Sequence, residues 1–231
     1  MLSGYRIIDL IYEGSKTLVY RAQRLDDCQT RIFKLPKSDK PTIQELNRIR
    51  HQFAIAKNLS LDGILRPYSL EQYDKSLILV MEDFGGISLQ KYVDIHGIFE
   101  YDQNKSDKVL LLRDFLRISI QIASIIEQII QKNVIHQNID SRNILINPHT
   151  KEIKLNDFSH GLVLSKEEQQ LNPYRSHSNL VGIFSEQIVS INREIDYCAD
   201  YYALGVTFYQ LLTGKLFSEI NCAIEQLISP Q

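Results

Sequence analysis

The sequence predicts an α+β chain in two parts, an antiparallel β-rich first lobe followed by a mostly helical second lobe, and three observations carry that expectation. Short β-branched and aromatic runs recur over residues 6–12, 17–22, 30–35, 65–70 and 76–81, each bounded by turn residues, which is the pattern of a five-stranded meander. The strand signal then gives way to residues 109–132, where apolar residues return at helical spacing on one face. Between the two lies Gly85-Gly86, a pair that loosens the backbone. The division this suggests is a lobe over residues 1–81, a hinge over 82–86 and a second lobe over 87–231, within one domain of 231 residues, long enough to bury a sizeable core.

Composition removes several classes of function. With 26 Lys and Arg against 28 Asp and Glu, the formal net charge is −2, so there is no basic surplus for nucleic acid. Cys28, Cys198 and Cys222 are far apart, odd in number and without a C-x-x-C pair, which argues against a disulfide framework or a zinc site and fits a reducing cytoplasm. Arg113, Asp114, Arg117 and Glu127 break the most apolar run, and the N-terminus has no apolar leader core, so no membrane segment is expected. There is no internal repeat or low-complexity tract.

Taken in order, the first two strands flank the turn Tyr12-Glu13-Gly14-Ser15-Lys16-Thr17-Leu18-Val19, and the third strand ends near Lys34. Pro41-Thr42 opens a helix over residues 43–59. The fourth and fifth strands turn around Tyr73-Asp74-Lys75. The polar stretch 94–108 reads as a loop, and 109–132 as the long core helix. Val134 to Ile146 is a loop that runs into a short hairpin around Pro148-His149-Thr150, and the hairpin ends in Asn156-Asp157-Phe158-Ser159. A last helix carries an apolar stripe, Leu204, Phe208, Leu211 and Leu212, expected in the core.

The loop contains His136-Gln137-Asn138-Ile139-Asp140-Ser141-Arg142-Asn143, which aligns with the His-Arg-Asp-Leu-x-x-x-Asn catalytic loop of protein kinases. Gly14, Lys34, the hinge segment from Glu82 to Gly86, His136, Asn143, Asp157, Glu186, Asp200 and Gly205 follow in kinase order and at kinase spacing. Over residues 4 to about 217 the chain therefore resembles the Ser/Thr protein kinase superfamily. More narrowly, Tyr20-Arg21-Ala22 and the phrases around residues 81–89 and 200–209 resemble the N-terminal kinase domains of large bacterial signalling proteins that also carry a sensor histidine kinase.

The resemblance implies a bilobal kinase-like fold, with a five-stranded antiparallel N-lobe sheet, an αC helix and a mostly helical C-lobe that lacks its last helices. It implies ATP and magnesium as cofactors and a protein as substrate or partner. Lys34 would bind the α- and β-phosphates, and Gly14, Val19, Glu82, Asp83, Phe84 and Leu145 would be nucleotide-binding positions. Asn143 and Asp157 would bind magnesium, and Asp200 would brace the loop backbone.

Four departures bear on activity. The base position holds Asn138, whose amide cannot take a proton from a hydroxyl near neutral pH. The helix glutamate that usually pairs with the strand lysine is Gln52, able to accept a hydrogen bond from Lys34 without supplying charge; Glu45, about two turns earlier, is the carboxylate on the same face. Asp140 stands where a phosphate-stabilising lysine is common and is a candidate weak substitute base. The stretch from Gly182 to Gln187 is about four residues shorter than the matching substrate segment of bacterial relatives. Together they point to a signalling pseudokinase that binds ATP with little or no phosphotransfer. The alternatives are an active Ser/Thr kinase and a remnant that serves only as an interaction domain.

Overall fold

Period-two alternation in the run Leu77-Ile-Leu-Val-Met81 sends side chains to both faces of one strand, and both faces are covered. In the computed structural model, which describes residues 3–96, 108–164 and 197–213, this is β5 (Ser76–Glu82), the strand next to one edge of a five-stranded sheet. Its partners are β1 (Tyr5–Glu13), β2 (Thr17–Arg24), β3 (Thr30–Pro36) and β4 (Pro67–Tyr73), in the order β1-β2-β3-β5-β4 with every pair antiparallel. Leu77, Leu79 and Met81 pack with Ile49 of the following helix, whereas Ile78 and Val80 pack with Ala22 and Phe33 on the opposite face.

That helix, α1 (Ile43–Leu59), begins where Thr42 caps it. The Thr42 hydroxyl accepts the Glu45 N–H, and the Glu45 carboxylate accepts both the Thr42 N–H and its hydroxyl, a reciprocal capping box. Glu45 is thereby committed to the helix end and is not the partner of Lys34.

The second part is built on α3 (Lys108–Gln131), whose Ile118, Ile122, Ile125, Ile126 and Ile129 form one buried stripe. Against it pack the hairpin β8 (Ile144–Ile146) and β9 (Ile153–Leu155), together with Leu204 and Leu211 of α4 (Cys198–Thr213). Two short ribbons frame the loop between them: β6 (Ile87–Ser88) pairs with β8, and β7 (Val134–Ile135) pairs with β10 (Leu162–Val163). Among the described residues, no helix is long and apolar enough to cross a membrane.

The α+β class and the five-stranded antiparallel sheet are as expected, with local corrections. The fourth strand starts at Pro67 rather than Leu65, because Ile64 bridges to Leu155 and the Leu65 N–H donates to the Leu155 carbonyl, so those residues tie the sheet lobe to β9. A helix, α2 (Leu89–His96), buries Leu89 and Val93 and occupies the start of the stretch expected as a loop from Asp94. Leu212 is exposed: it lies about 100° round α4 from Leu211, and Thr207 fills the buried place instead. The segment from Gly182 to Gln187, with Glu186, lies outside the described residues.

The hinge is tied rather than loose. The Glu82 carboxylate accepts the Lys154 ammonium at 2.8 Å and the Arg66 N–H at 2.7 Å. Asp83 accepts Arg21 Nε at 2.7 Å and the Gly85 N–H at 3.1 Å, and the Phe84 carbonyl accepts Asn147 Nδ2 at 2.6 Å. Gly85 sits at φ +74, and a Cβ on Gly86 would come within 2.2 Å of the Phe84 ring, so the two glycines make a tight turn under that ring.

Candidate active site

Lys34 projects from β3 towards α1 and the turn after β9. Its Nζ donates to Gln52 Oε1 at 2.7 Å and lies 3.0 Å from Asp157 Oδ1. Gln52 is 2% exposed, and its amide nitrogen donates onward to Asn156 Oδ1 at 3.2 Å. The neutral amide thus takes the position of a pairing glutamate, and Asp157 becomes the carboxylate that balances Lys34. Burial works against the charge on Asp157, but the nearby Lys34 ammonium and the Ser159 hydroxyl outweigh it and hold the carboxyl below the usual range.

Asp157 has φ +66, in the left-handed region that strains most L-residues, and it precedes a single 3-10 turn, Phe158–His160. The His51 ring donates to the Gly161 carbonyl at 2.7 Å, which pins α1 to the end of this turn.

The loop at 136–143 is held from below by α4. Asp200, 1% exposed, accepts the backbone N–H groups of His136 at 2.6 Å and Gln137 at 2.8 Å, with Gln137 also left-handed at φ +60. Burial raises the Asp200 pKa, and those two N–H donors oppose the rise. His136 is fully buried: Nδ1 accepts the Asn138 N–H at 3.2 Å, Nε2–H donates to the Asn156 carbonyl at 2.9 Å, and the ring meets Phe158 edge to face at 4.5 Å. Burial pushes its pKa down to about 4, so the ring is neutral.

Asn138 and Asn143 are brought together, since Asn143 Nδ2 donates to the Asn138 carbonyl at 2.9 Å. Asp140 is drawn aside. Its carboxylate accepts Arg142 Nε at 2.7 Å, Nη2 at 3.0 Å and the Arg142 N–H at 2.8 Å. Burial would raise its pKa, but the Arg142 bonds win and lower it, which makes Asp140 a poor proton acceptor.

The remaining expected positions lie on the sheet and the hairpin beside the cleft and are not among the residues that line it. Val19 pairs across the sheet with Tyr12 and Lys34. Leu145 and Phe84 pack, with Ile32, on the cluster that holds Leu79 and Met81. Gly14 donates its N–H to the Thr17 carbonyl at 2.9 Å, and a Cβ there would meet the Tyr12 ring at 2.8 Å, so this glycine also makes room for that ring.

The donors fit a magnesium ion that arrives with phosphates. Asp157 Oδ1 is buried with no aligned hydrogen bond and lies 3.0 Å from the Lys34 ammonium, so a metal ion there would share that oxygen with Lys34. Asn143 spends its amide nitrogen on Asn138, which leaves its oxygen as a ligand. Among the described residues, no group of three or more His, Cys, Asp or Glu could hold a metal ion. Held by Asn143 and Asp157, magnesium would supply positive charge to the β- and γ-phosphate oxygens.

Sequence reasoning missed Asn156, whose side chain holds Gln52 and whose carbonyl holds His136. It also missed Arg142 as the lock on Asp140 and Lys154 as the lock on Glu82. A lysine within the buried run Ile153-Lys-Leu155 was the available signal for the last of these.

A known family matches most of the chain. The family model of the protein kinase domain matches residues 5–228, and the chain belongs to that family. It is similar to the serine/threonine-protein kinase PrkC of Bacillus subtilis (strain 168), at 28% identity over 93% of this chain and 31% of that protein. It is also similar to the serine/threonine-protein kinase pkn3 of Myxococcus xanthus, at 26% identity over 95% and 39%, and to Aurora kinase of Saccharomyces cerevisiae, at 26% over 81% and 46%. The chain thus spans between about a third and a half of the length of these relatives.

Proposed function

We propose that this kinase domain binds ATP in the cleft between Lys34 and Asp157, with Asn143 and Asp157 as the magnesium positions, and acts as a signalling pseudokinase whose phosphotransfer is slow or absent. Its setting is a bacterial cytoplasm, and its partner is a protein that reads the nucleotide-bound state. One observation carries the reading: the loop keeps its brace at Asp200, its buried His136 and its Asn143 bond, while the base position holds Asn138 and Asp140 is tied to Arg142. The side chains can orient a nucleotide, but among the described residues of the loop no free carboxylate stands ready to accept the hydroxyl proton of a substrate.

The intact brace also favours a second reading, an active Ser/Thr kinase, because phosphoryl transfer depends mostly on positioning and charge. Thermal melting tests the binding claim. Millimolar ATP is expected to add roughly 2 to 3 kcal/mol, read as a rise of about 5 to 10 °C, and Lys34→Ala is expected to lose most of it. A folded sample whose melt ignores ATP contradicts the reading.

A further inference from the structure

The charge count in this cleft points beyond nucleotide binding as such. A cleft of about 170 Å³ opens between the Gly14 turn, α1 and the turn after Asp157, lined by Lys16, Lys34 and Arg48 on the cationic side and by Glu45 and Asp157 on the anionic side. Both carboxylates are already engaged, Glu45 by the Thr42 N–H and hydroxyl and Asp157 by the Lys34 ammonium. Lys16 and Arg48 feel the Glu45 charge, yet among the described residues neither hydrogen-bonds a carboxylate. A glutamate at position 52 would hold Lys34 and leave Asp157 to a cation; the neutral Gln52 holds it by one hydrogen bond and leaves the charge pairing to Asp157. A divalent ion must then compete with Lys34 for the Asp157 oxygen, whereas Lys16 and Arg48 are available to phosphate oxygens without any metal.

We propose that Gln52 makes Asp157 the counter-ion of Lys34, so that side-chain cations rather than magnesium carry most of the phosphate charge in this cleft. The proposal rests on the reading that the cleft takes a nucleotide, and it names the form taken: metal-free ATP binds nearly as well as its magnesium complex. Gln52→Glu, of the same shape, reverses the preference by drawing Lys34 away from Asp157 and adding an anion that repels bare phosphates.

The test is an ATP titration by calorimetry, in chelator and in excess magnesium, on the full chain. For the wild type the two dissociation constants are expected to agree within about threefold; in Gln52→Glu magnesium is expected to tighten binding at least about tenfold. Arg48→Ala is expected to weaken metal-free ATP more than the magnesium complex, and it keeps the test open if Gln52→Glu does not fold. A wild type that gains tenfold or more from magnesium overturns the proposal, as does a folded Gln52→Glu protein that responds as the wild type does. If neither protein binds ATP, the nucleotide reading fails separately. Manganese alone, followed by broadening of the Asp157 and Asn143 amide resonances, then decides the counter-ion claim: broadening at lower concentration in Gln52→Glu supports it, and equal broadening refutes it.

Discussion

At Asn138 the backbone does what a working loop requires, with its N–H on His136 and its carbonyl on Asn143, and only the side chain fails to accept a proton. Two residues on, Arg142 has taken the Asp140 carboxylate out of contention. Asp140→Asn alone is therefore expected to leave any measurable phosphotransfer rate within about twofold, because a base contribution would be worth a hundredfold or more. A fall of that larger size in a radiolabel transfer assay would restore Asp140 as the base.

His136 gives a pH prediction of definite sign. Its pKa falls from the usual 6.5 to about 4 on burial, so its contribution to stability is whole above pH 6.5 and is lost as pH falls through 4, because the unfolded chain takes up the proton first. Urea unfolding at pH 5 is expected to show about 2 kcal/mol less stability than at pH 7, with Asp200, whose pKa is raised, working the other way at lower pH. Equal stability at the two pH values would contradict the buried neutral ring.

Among the elements, α1 was legible to the residue from Pro41-Thr42 and the apolar spacing after it, local signals that the Thr42 and Glu45 capping box matches in the structure, and β5 was legible because its apolar run is unbroken. Elements fixed by distant partners were not. The start of β4 depends on Leu155, and α2 depends on the packing of Leu89 and Val93 into a core assembled from α3 and the β8–β9 hairpin. The site divides in the same way. The kinase resemblance pointed to Lys34, Asn143 and Asp157, but the bond from Gln52 to Asn156 joins residues 104 apart, and nothing local announces it.

The tied hinge leads to a prediction at this scale. Lys154 is 8% exposed and serves the Glu82 carboxylate, so Lys154→Met leaves that carboxylate with the Arg66 N–H alone. A loss of about 2 kcal/mol in urea unfolding is expected, below the full value for a buried pair because both groups retain some solvent. A change under about 0.5 kcal/mol would show that the pair does not hold the hinge.

For the molecule as a whole, the sheet lobe supplies Lys34, α1 supplies Gln52, the turn after β9 supplies Asp157, and α4 reaches under the loop through Asp200. On the reading proposed above, this frame seats a nucleotide but offers no base for the substrate proton. If the proposed reading holds, ATP bound in the cleft keeps its γ-phosphate because position 138 lacks a base. The most direct test is a single-turnover measurement of γ-phosphoryl transfer to a generic Ser/Thr acceptor at saturating ATP and magnesium, for the wild type and Asn138→Asp. The variant is expected to transfer at least about a hundredfold faster while binding ATP equally well. Equal rates in two proteins that both bind ATP would contradict it.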